Sequence, residues 1–149
     1  MIERKRKKIR LENYDYSSRG AYFITICLHN RAILFSQEAA KRMVEKWIIE
    51  IENKYENVMV DYYVIMKDHI HMILFINKEN ESNLFEIIKW FKTMTTNEYI
   101  RGVKNGTYES FENKFWQRSY YEHIIRNDED LNEKREYILN NPLKELENA

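Results

Sequence analysis

Glycine and proline are nearly missing from this chain, three and one respectively among 149 residues. That excludes a linker-like or low-complexity segment and leaves a single domain, long enough to bury its own core. Cysteine is as scarce. The one thiol, Cys27, leaves no disulfide framework and no cysteine-based zinc site within one chain, and its apolar surroundings predict a buried thiol. No apolar run approaches the roughly 20 residues that span a bilayer. The basic N-terminus is not followed by the apolar segment of a secretion signal. A reducing, cytoplasmic setting without a membrane partner is therefore expected. Charge of either sign is also without excess, because Lys plus Arg and Asp plus Glu both number 24 and the formal net charge is +0. This argues against indiscriminate polyanion binding, which usually needs an overall positive excess.

What charge there is lies unevenly. Arg4, Lys5, Arg6, Lys7, Lys8 and Arg10 crowd the first ten residues, so residues 1–19 read as a basic arm and 20–149 as one domain. A solvated arm and a nucleic-acid contact are both consistent with such a run, and compatible, since a disordered arm can order on phosphates.

The domain reads as alternating strands and helices. Ala21–Leu28 is a strand, opened by Gly20. Apolar positions at helical spacing from Ala40 to Ile51 predict a helix over about Gln37–Lys54, with Ser36 as N-cap. Val58–Met66 and His69–Ile76 form a hairpin joined by Lys67-Asp68. Ser82 precedes a second helix whose core positions run from Leu84 to Tyr99 and whose exposed face carries Lys89, Lys92, Thr95 and Thr96. Gly102 and Gly106 open a loop over Arg101–Asn113. The aromatic-rich Phe115–Ile125 reads as a strand. Asn127 caps a last helix, with Asp128, Glu129 and Asp130 favourable in its first turn, and this helix should end near Asn140, before Pro142. The order β-α-β-β-α-β is the ferredoxin-like arrangement: an α+β fold with a four-stranded antiparallel sheet, two helices on one face, and the other face open to the extra C-terminal helix and a ligand. The fold by itself does not specify a function.

Two short patterns carry chemistry. Strand side chains alternate, so His69 and His71 share a face with Cα atoms about 6.5 Å apart. Two imidazoles so placed can converge on one cation, or can simply occupy a half-buried strand. In the last helix Tyr137 and Asn141 are four apart, on one face, beside a packing stripe of Leu131 and Ile138. A free tyrosine hydroxyl, with a pKa near 10, is a poor nucleophile. A divalent cation that polarises a scissile phosphate and its leaving oxygen makes it a useful one. A tyrosine and an asparagine one turn apart can equally be ordinary helix surface.

Taken together, these segments resemble the single-tyrosine HUH transposases, specifically the REP-associated tyrosine transposases. The resemblance runs from Tyr22-Phe23-Ile24-Thr25-Ile26, through Val64–His71 and Phe115–Asn127, to Tyr137-Ile138-Leu139-Asn140-Asn141-Pro142. It covers nearly the whole chain in order. One departure is Lys67-Asp68, where relatives often have Pro-Asn or Pro-Glu. The resemblance implies an endonuclease and strand transferase that cuts single-stranded DNA at or near hairpins through a 5′-phosphotyrosine, using Mg²⁺ or Mn²⁺. It makes His69 and His71 metal ligands, Asn141 a third ligand and Tyr137 the nucleophile. The basic arm, Trp116, Arg118, His123 and Arg126 become candidate DNA contacts, with base stacking expected from at most one of Trp116 and Tyr120, and His123 divided between a substrate role and a structural hydrogen bond. Both monomeric and homodimeric action fit such a family. The contrasting reading is a non-catalytic nucleic-acid-binding module on the same fold.

Overall fold

A computed structural model describes residues 19–77 and 83–147. Along these the chain forms β1 (Arg19–Cys27), α1 (Glu38–Lys54), β2 (Val58–Ile65), β3 (His69–Asn77), α2 (Leu84–Lys104), β4 (Tyr121–Ile124) and α3 (Asp128–Glu147). The strands make one sheet in the order β2-β3-β1-β4, each neighbouring pair antiparallel. This is the ferredoxin-like topology, with β1 and the histidine strand β3 at the centre. The basic stretch Arg4–Arg10 lies outside the described residues.

Alternation along the central strands fills both faces. Ile24, Ile26, Ile70, Met72 and Leu74 pack with α1 and α2 in the larger core. Ala21, Phe23, Ile73 and Phe75 point the other way and pack under Leu131 and Ile138 of α3. With both faces covered, β3 is an almost unbroken apolar run. Leu131 and Ile138 are fully buried, and each such side chain stabilises the fold by about 1.5–3 kcal/mol. That burial seats the last helix on the sheet.

The β2–β3 pairing slips between Val60 and Tyr63, where Val60 faces Leu74 but Tyr63 faces Met72. Two residues, Asp61 and Tyr62, thus stand opposite Ile73 alone, which is a bulge. Both serve the α3 side. Arg135 of α3 donates from Nε and a terminal nitrogen to the two Asp61 carboxylate oxygens at 2.6 and 2.9 Å, and its guanidinium lies 5.0 Å from the centre of the Tyr62 ring.

Several elements depart from the sequence expectations. The α1 N-cap is Gln37 rather than Ser36; Ser36 ends a 3-10 turn, and the Gln37 amide is taken up by Leu34, Tyr99 and Glu109. Asn83, not Ser82, caps α2, accepting from the Glu86 N–H. That helix runs on to Lys104 because Gly102 lets the Tyr108 ring lie directly against its Cα, where a Cβ would collide. Gly106, at φ +86°, then supplies the left-handed turn. Thr95 is buried, not exposed, and accepts a hydrogen bond from the Trp116 indole at 2.8 Å.

The Phe115–Ile125 segment forms a strand only over Tyr121–Ile124. Before it, the carbonyls of Gln117 and Arg118 accept from the Lys92 ammonium at 2.8 and 3.0 Å instead of joining a ladder; Lys92, expected on an open face, is half-buried, and its pKa is lowered by that burial. Helix α3 does not stop before Pro142 but carries it inside. The proline has no N–H for the Ile138 carbonyl, and the preceding Asn141 turns its amide nitrogen back onto the Tyr137 carbonyl at 2.6 Å.

Candidate active site

The sheet face under α3 gathers the chemistry. Register places Thr25 opposite His71 and Cys27 opposite His69 on one side of β1. On its other side Thr25 is opposite Tyr121 and Phe23 opposite His123. The hairpin brings Asp68 up beside His69, closed by the Met66 N–H donating to the His69 carbonyl at 2.8 Å. All of these side chains therefore sit on the face that α3 crosses.

The two imidazoles converge. His69 Nε2 and His71 Nε2 are 3.2 Å apart, and each ring is held from behind. His69 Nδ1 is 2.6 Å from Asp68 Oδ1, and His71 Nδ1 is 2.8 Å from the Thr25 hydroxyl. A partner on Nδ1 fixes the ring and directs the Nε2 lone pair outward, the arrangement typical of metal-binding histidines. Arg31 Nε donates to the other Asp68 oxygen at 3.0 Å. The Asp68 pKa is lowered: burial raises it, but the hydrogen bonds and charges of His69 and Arg31 outweigh that. To reach Asp68, the chain after β1 turns sharply through Asn30 and Arg31, both in the left-handed region at φ 56° and 53°.

His71 is 4% exposed. Burial above all, then the positive charges of His69 and Arg31, pushes its pKa down to about 3, so its ring is neutral at physiological pH, as a ligand must be. Two nitrogens each about 2.1 Å from an octahedral ion and at right angles stand about 3.0 Å apart, close to the spacing found here. The donor set fits a divalent ion that keeps open positions. Among the described residues no three His, Cys, Asp or Glu side chains gather as a metal group, so a third ligand from among them would be of another type, for which an asparagine oxygen qualifies.

Tyr137 stands over this pair. Its ring meets His71 edge to face at 5.2 Å between centroids and Phe23 at 5.8 Å, and it remains 43% exposed. Phe23, Thr25, His71, Tyr121, Glu133, Lys134 and Tyr137 line an open cleft of about 540 Å³. Asn141 lies one turn further along α3, buried, with its nitrogen bonded to the Tyr137 carbonyl, and it is not among the residues that line the cleft.

The other expected site residues are placed differently. Trp116 is 5% exposed and packs against Phe35, Phe91 and Phe115. Its ring offers no face to a base, so the stacking expected of it is corrected to a core role. Tyr120 is half-buried with the Lys92 ammonium 5.7 Å from its ring centre. Arg118 and Arg126 are exposed. His123 directs Nε2 to Asp130 at 2.7 Å. Cys27 is only half-buried, with its thiol pKa raised chiefly by burial. Sequence reasoning passed over Thr25, Arg31, Asp68, Asp130 and Lys134. Local signals were present: Thr25 is a hydroxyl inside an apolar strand, Asp68 adjoins His69, and Asp130 and Lys134 are four apart on one helix, whereas the Arg31–Asp68 pairing is distant in sequence.

Comparison with known proteins places this chain among relatives. A family model described as transposase IS200 like matches residues 16–141. A Haemophilus influenzae strain Rd protein of uncharacterised function is 33% identical over 160 aligned positions, spanning 93% of this chain and 88% of its own. The REP-associated tyrosine transposase of Escherichia coli K12 is 28% identical over 134 positions, spanning 87% and 70%. The solved structure of a REP-associated tyrosine transposase bound to a REP hairpin superposes with a TM-score of 0.67 at 20% identity, over 94% of this chain and 74% of that one, a likeness of fold.

Proposed function

This chain belongs to the IS200-like transposase family, and from that premise we propose that it is a divalent-metal-dependent endonuclease and strand transferase for single-stranded DNA carrying a hairpin. Membership supports the coarse part, a transposase that processes DNA. The finer part rests on one observation: the Tyr137 ring lies 5.2 Å from that of His71, whose Nε2 converges with that of His69.

In this reading His69, His71 and the Asn141 oxygen would hold Mg²⁺ or Mn²⁺, which when bound would supply charge stabilisation to the scissile phosphate and the departing oxygen. Thr25 and Asp68 keep both rings in the ligating orientation. The Tyr137 hydroxyl oxygen attacks phosphorus in line, the P–O3′ bond breaks, and the 3′ oxygen leaves and takes up a proton while the tyrosine proton passes to solvent. The products are a 5′-phosphotyrosine and a free 3′-hydroxyl, and attack on that linkage by another 3′-hydroxyl reverses the step and transfers the strand. Partial exposure of Tyr137 gives a bulky DNA strand access. The DNA hairpin bound to the structural relative makes hairpin DNA the substrate to try. Arg118, Arg126 and the basic arm are the proposed backbone contacts.

The experiment is a denaturing gel of protein with labelled single-stranded hairpins, randomised in their flanks, and Mn²⁺. Wild type should release a shortened strand and carry the rest covalently. Tyr137→Phe should bind metal and DNA like wild type while losing both products, and His71→Ala should recover part of its cutting in excess Mn²⁺. A Tyr137→Phe protein that nicks at the wild-type rate would sink the mechanism. A wild type that binds hairpins tightly and never cuts would favour the non-catalytic module.

A further inference from the structure

The cleft that holds Tyr137 must admit a phosphodiester, yet among the described residues its lining contains one cation. That is Lys134, one turn before Tyr137 and so on the same face of α3. The other charged lining residue, Glu133, stands exposed at the rim. The Lys134 side chain is 22% exposed, drawn down by a 2.8 Å hydrogen bond to Asp130 Oδ1. Asp130 is itself fixed twice over. Its backbone N–H bonds the Asn127 cap, and its second oxygen meets His123 Nε2 at 2.7 Å across from β4. Burial raises the Asp130 pKa, but Lys134 and His123 together bring it below the usual value, so the carboxylate is ionised at neutral pH. An ordinary i,i+4 pair on a helix surface has two solvated, mobile ends. Here one end is tied to the sheet by His123 and the other faces into the cleft.

We propose that Lys134 is a catalytic residue that binds a non-bridging oxygen of the scissile phosphate, with Asp130 and His123 as positioning residues that hold it there. An ammonium has three N–H donors and Asp130 uses one, leaving two for the phosphate. No bond to Lys134 forms or breaks and its proton stays in place. It offsets the charge that builds on the phosphoryl oxygens while the Tyr137–phosphorus bond forms and the P–O3′ bond breaks. Removing one such donor typically slows the chemical step by about 10²–10³-fold.

This proposal rests on the function given above, and its test is arranged so that the two fail separately. Wild type, Lys134→Ala and Lys134→Arg are compared on the hairpin oligonucleotide that wild type cuts best. Lys134→Ala should cut at least about 100-fold more slowly, Lys134→Arg should regain most of the loss, and Mn²⁺ affinity measured by calorimetry should be the same in all three. DNA binding is then measured in a Tyr137→Phe background, with the cut phosphate natural or replaced by a neutral methylphosphonate. The replacement should weaken binding when Lys134 is present and change little with Lys134→Ala. Equal weakening in both, wild-type cutting by Lys134→Ala, or a drop in its Mn²⁺ affinity would overturn the role. A wild type that cuts no hairpin defeats the proposed function itself and this role with it.

Discussion

Thr25 and Asp68 decide which way the two imidazoles face. A hydroxyl can donate or accept, so Thr25 suits His71 in either tautomer. The ionised Asp68, steadied by Arg31, only accepts, and therefore keeps the His69 proton on Nδ1. Neither residue is asked to touch an ion, yet each sets the lone pair that would. Loss of such a partner usually costs about 10–100-fold in metal affinity. Calorimetric titration of Mn²⁺ should show that loss for Asp68→Ala and for Thr25→Val, with the sheet intact by circular dichroism. Unchanged affinity in both would remove the metal from this pair. The His-x-His face was legible in the sequence because strand alternation alone puts both rings on one side. Of their supports, Asp68 adjoins His69 in the chain, but Thr25 was not legible, since it lies 46 residues from His71 and only the β1–β3 register joins them.

Helix α3 is seated by two apolar side chains and one directional clamp. Leu131 and Ile138 would tolerate some sliding or rotation of the helix, whereas the bidentate Arg135–Asp61 pair would not, and Arg135 is only two residues from Tyr137. The Asp61 side chain is 3% exposed. Removing the guanidinium leaves a buried carboxylate without its counter-charge, a change that costs about 3–5 kcal/mol where such pairs have been broken. Urea unfolding should therefore find Arg135→Met markedly destabilised, and Asp61→Asn combined with Arg135→Met less so than the sum of the single changes. Strict additivity would show that the clamp carries no coupling. The existence of this helix, its Asn127 cap and its packing stripe could all be read from the chain. Its far end could not, because proline usually marks a stop, and here the helix continues through Pro142 with the Asn141 side chain bonded to the carbonyl of the turn before.

On the scale of the molecule, a single chain brings its own tyrosine to its own histidines. With Mn²⁺ kept too low to rescue His71→Ala, Tyr137→Phe mixed with His71→Ala should cut no hairpin, since neither protein holds both halves of the site. Recovery of cutting in the mixture, measured on the same gel, would mean that helices are exchanged between two copies. Among the described residues β2 is the outermost strand on its side of the sheet, and its sequence is Val-Met-Val-Asp-Tyr-Tyr-Val-Ile, a composition that in a flat open strand would invite another copy to pair with it. The bulge at Asp61 and Tyr62 bends that strand and turns a charge inward, and both features oppose pairing with a second copy. The irregularity that anchors the tyrosine-bearing helix thereby also works against zipping onto a neighbour, and straightening it would be expected to trade a loose helix for an insoluble sheet.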